Sequence, residues 1–498
     1  MNRLCLLLLL ISFSFPSQTF AQNFFEVLGT PFTGVQESSI AFADVDGDND
    51  QDLLITGINF TGQPPSVLIA KLYTNDGSGN FSEVLGTPFS GVSEGSIAFA
   101  DVDGDKDQDV LITGSFSSKL YTNDGSGNFT EVIGTPFQGV NESSVVFADV
   151  DGDNDQDVLI TGIQVSSPVY ITTARLYINN GSGSFTEVLG TPFTGVREGF
   201  IAFADVDGDN DQDVLITGSP DGSGVSSKLY TNDGSGSFTE VLGTPFAGVA
   251  LSAIAFADVD GDKDQDVLIT GTNGTVGISR LYTNDGSGNF TQVAGTPFPG
   301  LMGSEVAFAD VDSDNDQDLL IIGGTGLLVF PYTGLYTNDG LGNFTQASGT
   351  PFDDLVDGSV AFADVDGDND QDVLLTGIDL SANYTAKLYT NDGGVLSLSD
   401  DLLLDPSENP TSSTSLNLTP YPNPATSDNF QVSFNLTESH TVTVRIYDTN
   451  GRLIRQQQEF AEKGEQTIEV DITALPTGSY FLRLHDGRRS SIARFMVR

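Results

Sequence analysis

The stretch Asp-Val-Asp-Gly-Asp-Asn-Asp-Gln-Asp at residues 44–52 returns in nearly the same form with its first aspartate at 101, 149, 205, 258, 310 and 364. Seven copies at a period of 48 to 57 residues constrain this chain more than any other feature. A unit that short cannot bury its own hydrophobic face, so neighbouring units must stack to make a core. The period is that of a four-stranded propeller blade.

In the first copy, four short runs rich in Ile, Leu, Val, Phe and Tyr, at 39–43, 53–56, 71–74 and 81–85, predict four strands. The aspartate loop joins the first to the second. Asn75-Asp76-Gly77-Ser78-Gly79-Asn80 makes a glycine-rich hairpin between the third and fourth. Gly86-Thr87-Pro88-Phe89 ends the fourth, where an edge tolerates proline. The seventh copy stops at Asn391-Asp392-Gly393-Gly394 without a fourth strand. Residues 23–32, Asn-Phe-Phe-Glu-Val-Leu-Gly-Thr-Pro-Phe, repeat the fourth-strand pattern with no strands before them. They are expected to complete the last sheet and close a ring, which leaves no unpaired edge. An open solenoid would need capping repeats, and none is visible. The expected fold is all-β: a seven-bladed β-propeller closed by an N-terminal strand and followed by a small C-terminal β-sandwich.

Charge divides the chain in two. Before residue 420 there are 10 Lys and Arg against 60 Asp and Glu, and from there on 9 against 9, so the whole formal charge of −50 belongs to the first part. Such a surface repels nucleic acid and anionic membranes, both of which are bound through cations on the protein. Its natural partners are divalent cations.

The first 21 residues read as a secretory signal peptide, with Arg3, an apolar run from Leu4 to Phe15 and a small-residue exit at Ala21. That run is too short to anchor in a bilayer, and no membrane span is expected elsewhere. Cys5, the single cysteine, lies within it, which excludes disulfides and thiol chemistry from the mature chain. The expected organisation is a signal peptide at 1–21, the propeller at 22–394, a Ser-, Leu- and Pro-containing linker at 395–420, and a β-sandwich at 421–498 with strands at 430–436, 441–447, 466–472 and 480–484.

Each loop places carboxylates at its first, third, fifth, seventh and ninth positions. These are Asp44, Asp46, Asp48, Asp50 and Asp52; Asp101, Asp103, Asp105, Asp107 and Asp109; Asp149, Asp151, Asp153, Asp155 and Asp157; Asp205, Asp207, Asp209, Asp211 and Asp213; Asp258, Asp260, Asp262, Asp264 and Asp266; Asp310, Asp312, Asp314, Asp316 and Asp318; and Asp364, Asp366, Asp368, Asp370 and Asp372. Five acids in nine residues repel one another, and Ca²⁺ accepts six to eight such oxygens at flexible geometry. Up to seven structural Ca²⁺ ions are expected; solvated acidic hairpins without a ligand are the competing reading.

The loops resemble those of FG-GAP and VCBS repeats, the modules of the integrin α-subunit propeller. The resemblance implies that Asp44, Asp46, Asp48 and Asp52 ligate calcium through side chains and Asp50 through its carbonyl, with the same roles in the other copies. At the sixth position, usually Gly in the family, stand Asn49, Asn154, Asn210, Asn315 and Asn369, or Lys106 and Lys263. Ser313 replaces the glycine of the fourth position in the sixth loop.

After residue 421, Tyr421-Pro422-Asn423-Pro424, residues 446–452 (Ile-Tyr-Asp-Thr-Asn-Gly-Arg), residues 478–483 (Gly-Ser-Tyr-Phe-Leu-Arg) and the terminal Phe495-Met496-Val497-Arg498 resemble the type A sorting domain of the type IX secretion system of Bacteroidetes. The resemblance implies recognition by that secretion machinery, export to the outside or the outer-membrane surface, and removal of the domain.

Two histidines, His440 and His485, both lie in this last region. Nothing resembles a Ser-His-Asp set or a phosphate-cradling loop, so no enzyme is expected. Function is sought where the copies differ, on the rim opposite the aspartate loops, where Tyr170, Phe330, Tyr332 and Tyr384 are candidates for stacking on a glycan or anchoring a protein. The reading is a secreted or cell-surface adhesion or ligand-binding module. The alternatives are a calcium-dependent, lyase-like polysaccharide enzyme and a surface coat or spacer without a specific ligand.

Overall fold

The structure, a computed structural model, describes residues 24–391 apart from 61–65, 167–168, 221–223 and 327–328, and residues 418–498 apart from 423–424, 426–429, 437–438, 448–452, 474, 476–477 and 486–489. The expected signal peptide, nearly all of the expected linker and part of the tail's sorting motif fall outside these residues.

The runs of alternating apolar residues form antiparallel strands throughout, and the described residues contain no helix. Seven four-stranded sheets succeed one another along the described part of the repeat region. The first consists of Gln36–Ala43, Asp52–Asn59, Val67–Thr74 and Ser82–Glu83, hydrogen-bonded in that order. Ala43 pairs with Asp52 and Leu53 with Tyr73, so the aspartate loop is a hairpin connection between the first two strands. The first three strands run longer than the sequence suggests, whereas the fourth shrinks to two residues, because the Gly-Thr-Pro-Phe segment leaves the ladder early.

The seventh sheet contains Val360–Ala363, Asp372–Ile378 and Tyr384–Asn391, and takes its fourth strand from Phe24–Glu26, with Phe24 opposite Asn391. The N-terminal segment therefore completes the last sheet.

The core lies between sheets. The second strand of each is covered on both faces, with Leu53, Leu54 and Ile55 fully buried. Leu53 and Ile55 pack with Ala363, Val365, Leu374 and Leu388 of the seventh copy, and Leu54 packs with Ile97, Val110 and Tyr121 of the second. Each such side chain contributes about 1.5–3 kcal/mol by leaving water. The first copy thus packs on the last as it does on the second. At every interface the phenylalanine of the Gly-Thr-Pro-Phe link meets the Leu-Tyr tyrosine of the following strands edge-on, from Phe32 on Tyr73 (5.1 Å) to Phe352 on Tyr389 (5.0 Å).

A buried asparagine opening each glycine turn ties neighbouring sheets. Asn123 Nδ2 donates to the Val45 carbonyl of the preceding copy at 2.7 Å, and Asn75 Nδ2 donates to that of Val365 in the seventh copy at 2.8 Å. The same bond recurs from Asn179, Asn232, Asn284, Asn338 and Asn391, so the chain of bonds returns to its start.

In the tail, one sheet holds Thr419–Tyr421, Gln431–Leu436 and Gly464–Glu469, and a second holds Leu453–Ala461, His440–Tyr447, Gly478–His485 and Ser490–Val497. Phe430, Val432 and Phe434 pack against Val444, Leu482 and Phe495 between them, making a sandwich of seven described strands where four were expected.

Candidate metal centres and the opposite rim

The ninth residue of each loop is the most deeply held. Asp52 is buried; its Oδ2 accepts from the Val45 amide (2.9 Å) and its Oδ1 from the Asn75 amide (2.8 Å), which fastens the loop to the glycine turn of its own sheet. Asp44 accepts from the amides of Gly47 (2.8 Å) and Asn49 (3.0 Å), and Asp48 from that of Asp50 (3.1 Å). The loop closes on itself only because Gly47 and Asn49 adopt positive φ, 80° and 70°. Lys106 and Lys263 take the same conformation at 76° and 77°, so lysine at the sixth position does not alter the backbone. In the sixth loop Ser313 holds φ at 62° and its hydroxyl reaches Asp370 of the seventh loop at 3.3 Å.

The third residue is treated differently. Asp46 Oδ1 is buried without a hydrogen-bond donor, and so is the same atom of Asp103, Asp151, Asp207, Asp260 and Asp312. A buried carboxylate oxygen lacking a donor is expensive. Around it, one carboxylate atom each of Asp44, Asp46 and Asp48 lie within 4.8 Å of one another; in the second to fourth loops the trio is the first, third and ninth residues, as Asp101, Asp103 and Asp109, and in the fifth it is Asp258, Asp260 and Asp262. A buried oxygen without a donor, with further carboxylates converging on it at this spacing, is the chemistry a hard cation needs, so the residues present fit one.

The seventh residue faces elsewhere. A Cβ added to Gly125 would come within 2.6 Å of the Asp107 carboxylate, so that carboxylate lies against the glycine turn, and the turn needs glycine there. A Cβ on Gly127 would meet the Asp46 Cβ of the preceding copy at 3.6 Å. Each loop therefore sits between two glycine turns on one rim.

Crowding shows in the acidities. Burial, then the charges of Asp48 and Asp44, raise the carboxyl of Asp46 above the ordinary range. Burial pushes Asp52, Asp109, Asp157, Asp213 and Asp266 up to about 6 against the pull of their backbone donors. It takes Asp318 to about 8 and Asp372 to about 9.

On the far rim, Tyr170 is 61% exposed and stacks on Phe116 of the preceding copy (5.6 Å, 28° between planes). Tyr384 stacks on Phe60 of the first copy (5.2 Å, 23°), and Phe330 is 54% exposed. Sequence reading did not single out Phe60 and Phe116; the signal available was their place in the same variable connections. Tyr332 does not join this surface: its hydroxyl meets that of Tyr336 at 2.5 Å and accepts from Gln346 at 3.0 Å, and its ring packs on the core between the fifth and sixth sheets.

Family models match two parts of the chain. An FG-GAP-like repeat matches residues 44–112, 101–160, 205–269 and 258–321, and a secretion system C-terminal sorting domain matches 419–498. No curated protein matches the chain. Among solved structures, a lectin of Agrocybe aegerita described as recognising non-reducing terminal N-acetylglucosamine is 18% identical, with a TM-score of 0.46 over 63% of this chain and 79% of that one. The lectin of Aleuria aurantia is 11% identical (TM-score 0.36; 64% and 100%), and an ancestral GH74 enzyme 12% identical (TM-score 0.42; 93% and 62%). The sorting tail implies export to the outside or the outer-membrane surface, and no helix of the described residues is long and apolar enough to cross a membrane. The chain carries FG-GAP-like repeats and ends in a type IX secretion sorting domain.

Proposed function

We propose that this is a non-catalytic, calcium-stabilised adhesion or ligand-binding module displayed outside the cell. The observation that carries the reading is the recurring donor-less oxygen of the third loop residue, buried at the same place in Asp46, Asp103, Asp151, Asp207, Asp260 and Asp312. A fold that repeats an unsatisfied buried carboxylate oxygen depends on a cation to satisfy it. Asp44, Asp46, Asp48 and Asp52 would hold the ion with their side chains and Asp50 with its carbonyl, and likewise in each copy. When bound, calcium neutralises the loop and joins it to the blade. The propeller would span 22–394, the linker 395–420 and the exported tail 421–498, behind a leader at 1–21.

Identical loops hold blades, whereas the rim that differs between copies is suited to recognition. Its stacked pairs, Tyr170 on Phe116 and Tyr384 on Phe60, together with the exposed Phe330, offer flat faces to a glycan or anchors to a protein. Two measurements test the parts separately. EDTA should lower the melting temperature substantially and calcium restore it; unchanged melting removes the calcium reading. Glycan-array and pull-down binding by the intact protein should be lost in the Tyr170→Ala, Tyr384→Ala variant with melting unchanged, and equal binding by both proteins refutes the rim assignment.

A further inference from the structure

The first strands of the seven sheets surround an axial channel of about 510 Å³ that neither the calcium loops nor the aromatic rim uses. Five residues before the first aspartate of the loop, six of the seven copies place a residue against this space. Four copies place Ser39, Ser96, Ser144 and Ser359 there, the fourth copy has Phe200, and the sixth has Glu305. The serines are partly engaged: Ser39 Oγ accepts from the Ile97 amide and Ser144 Oγ from the Ile201 amide, both at 3.2 Å across the sheet gap.

Glu305 has no such use. Its carboxylate has no hydrogen-bond or ionic partner among the described residues, and the strands enclose it while its surface still meets the channel, as befits a side chain projecting into an internal space. Burial without a compensating charge raises its pKa to about 8. An enclosed acid lacking a partner is costly to keep unless something supplies the missing charge.

Two positions earlier, where the chain leads into these strands at the channel mouth opposite the aspartate loops, five of the seven copies place an acid, Glu37, Glu94, Glu142, Glu198 and Asp357, all at positive φ between 46° and 53°. Backbone bonds chain them together: Glu37 donates to the Asp357 carbonyl (2.8 Å), Glu94 to that of Glu37 (3.3 Å), and Glu198 to that of Glu142 (3.3 Å). Among the described residues, Arg197 is the cation paired with this ring, 3.4 Å from Glu142. A mouth of this sign concentrates cations.

The lining decides which cation. A metal ion would need several carboxylates converging at one point, and the channel wall offers one, among hydroxyls and the apolar Ile40, Ile97, Phe200 and Val360. A positive group attached to a short hydrocarbon body satisfies both features, and the volume lies within the range of about 300–1,000 Å³ usual for small-molecule sites. We propose that the axial channel is a binding site for a small aliphatic ammonium ion, which enters by the acidic mouth and sets its charge against Glu305.

Calorimetric titration of the calcium-saturated full chain with pentylamine hydrochloride at physiological salt tests this. One ion should bind per chain, and Glu305→Gln, which keeps shape and removes charge, should weaken binding about tenfold or more while melting without ligand stays equal or rises. Ser359→Leu, which narrows the channel and leaves the carboxylate, should weaken it too, and decides the matter if the glutamine variant does not fold. Pentanol, with the same body and no charge, and magnesium chloride, with charge and no body, should both fail to compete. Equal affinity in the variants, absence of binding, or displacement by magnesium alone would overturn the assignment.

Discussion

Asp52 satisfies both oxygens with backbone amides, whereas Asp46, six residues earlier in the same loop, keeps a buried oxygen without a donor. The two should respond oppositely to substitution. Asp52→Asn replaces an acceptor by an amide nitrogen that cannot accept, so it should destabilise the protein by about 1–3 kcal/mol with or without calcium. Asp46→Asn should destabilise the calcium-loaded protein but leave the EDTA-treated one equal or more stable, because it removes an uncompensated charge. Urea melts of both variants in both conditions check this, and a fall in the EDTA-treated Asp46→Asn protein would contradict it. The pH dependence follows the same logic. A carboxyl whose folded pKa is raised binds its proton more tightly when folded, so its contribution to stability is full below the unfolded value and is lost as pH rises through the folded one. For the ion-free protein that loss should run from about 4 to about 6 for Asp52 and its counterparts and continue towards about 8 and 9 through Asp318 and Asp372. Melting temperatures in EDTA should therefore fall across this window, and a rise would show that burial does not dominate these groups.

At the scale of strands, the seventh sheet rests on a three-residue segment from the other end of the repeat region. Phe24 is buried against Phe352 and the core of the last sheet, while Glu26 reaches Lys387 at 3.3 Å on the solvent side. Phe24→Ala should cost about 3–5 kcal/mol through lost transfer energy and the cavity left behind. Lys71→Ala, which breaks the analogous 3.0 Å pair with Glu83 in the first sheet, should cost about 1 kcal/mol or less, since both partners are about a third exposed. Denaturant midpoints for the two variants, if equal, would mean that the N-terminal strand is dispensable. This strand was legible in the sequence because the copies could be compared with one another: a fourth-strand pattern stood at one end and was missing at the other. The same comparison located the loops and assigned the two rims. It failed where a copy departs singly, as at Glu305 in a column otherwise small and hydroxylic or apolar, and where turn chemistry hid a second role, as in Asn75, whose side chain crosses to the neighbouring seventh sheet. In the tail, which has no copies, Leu453–Ala461 pairs among the described residues with His440–Tyr447 alone, and its Gln-rich sequence lacks the apolar alternation that marks a strand.

The whole molecule joins a strongly anionic repeat region to a tail in which acidic and basic residues balance. Among the described residues, the tail's core, from Ala425 to Val497, contains none of the repeat region, and the cores of the repeat region contain none of the tail. Removing the tail takes the Arg445 guanidinium off the ring of Phe25, 4.8 Å away, but opens none of the cores between the sheets, so the energetics of the repeat region should hardly depend on it. Export should, since that tail matches a secretion system sorting domain. A chain ending before residue 419 is therefore expected to melt at the same temperature as the full chain in calcium, and to accumulate inside the outer membrane of a host with the type IX machinery while the full chain reaches the surface. Fractionation and surface labelling distinguish the two, with calcium-dependent melting of the retained material as the control for folding. If the shortened chain reached the surface as well, the tail would not be the sorting signal; if it were retained but melted lower, the tail would also be part of the fold, and the separation of the cores would be no guide to independence.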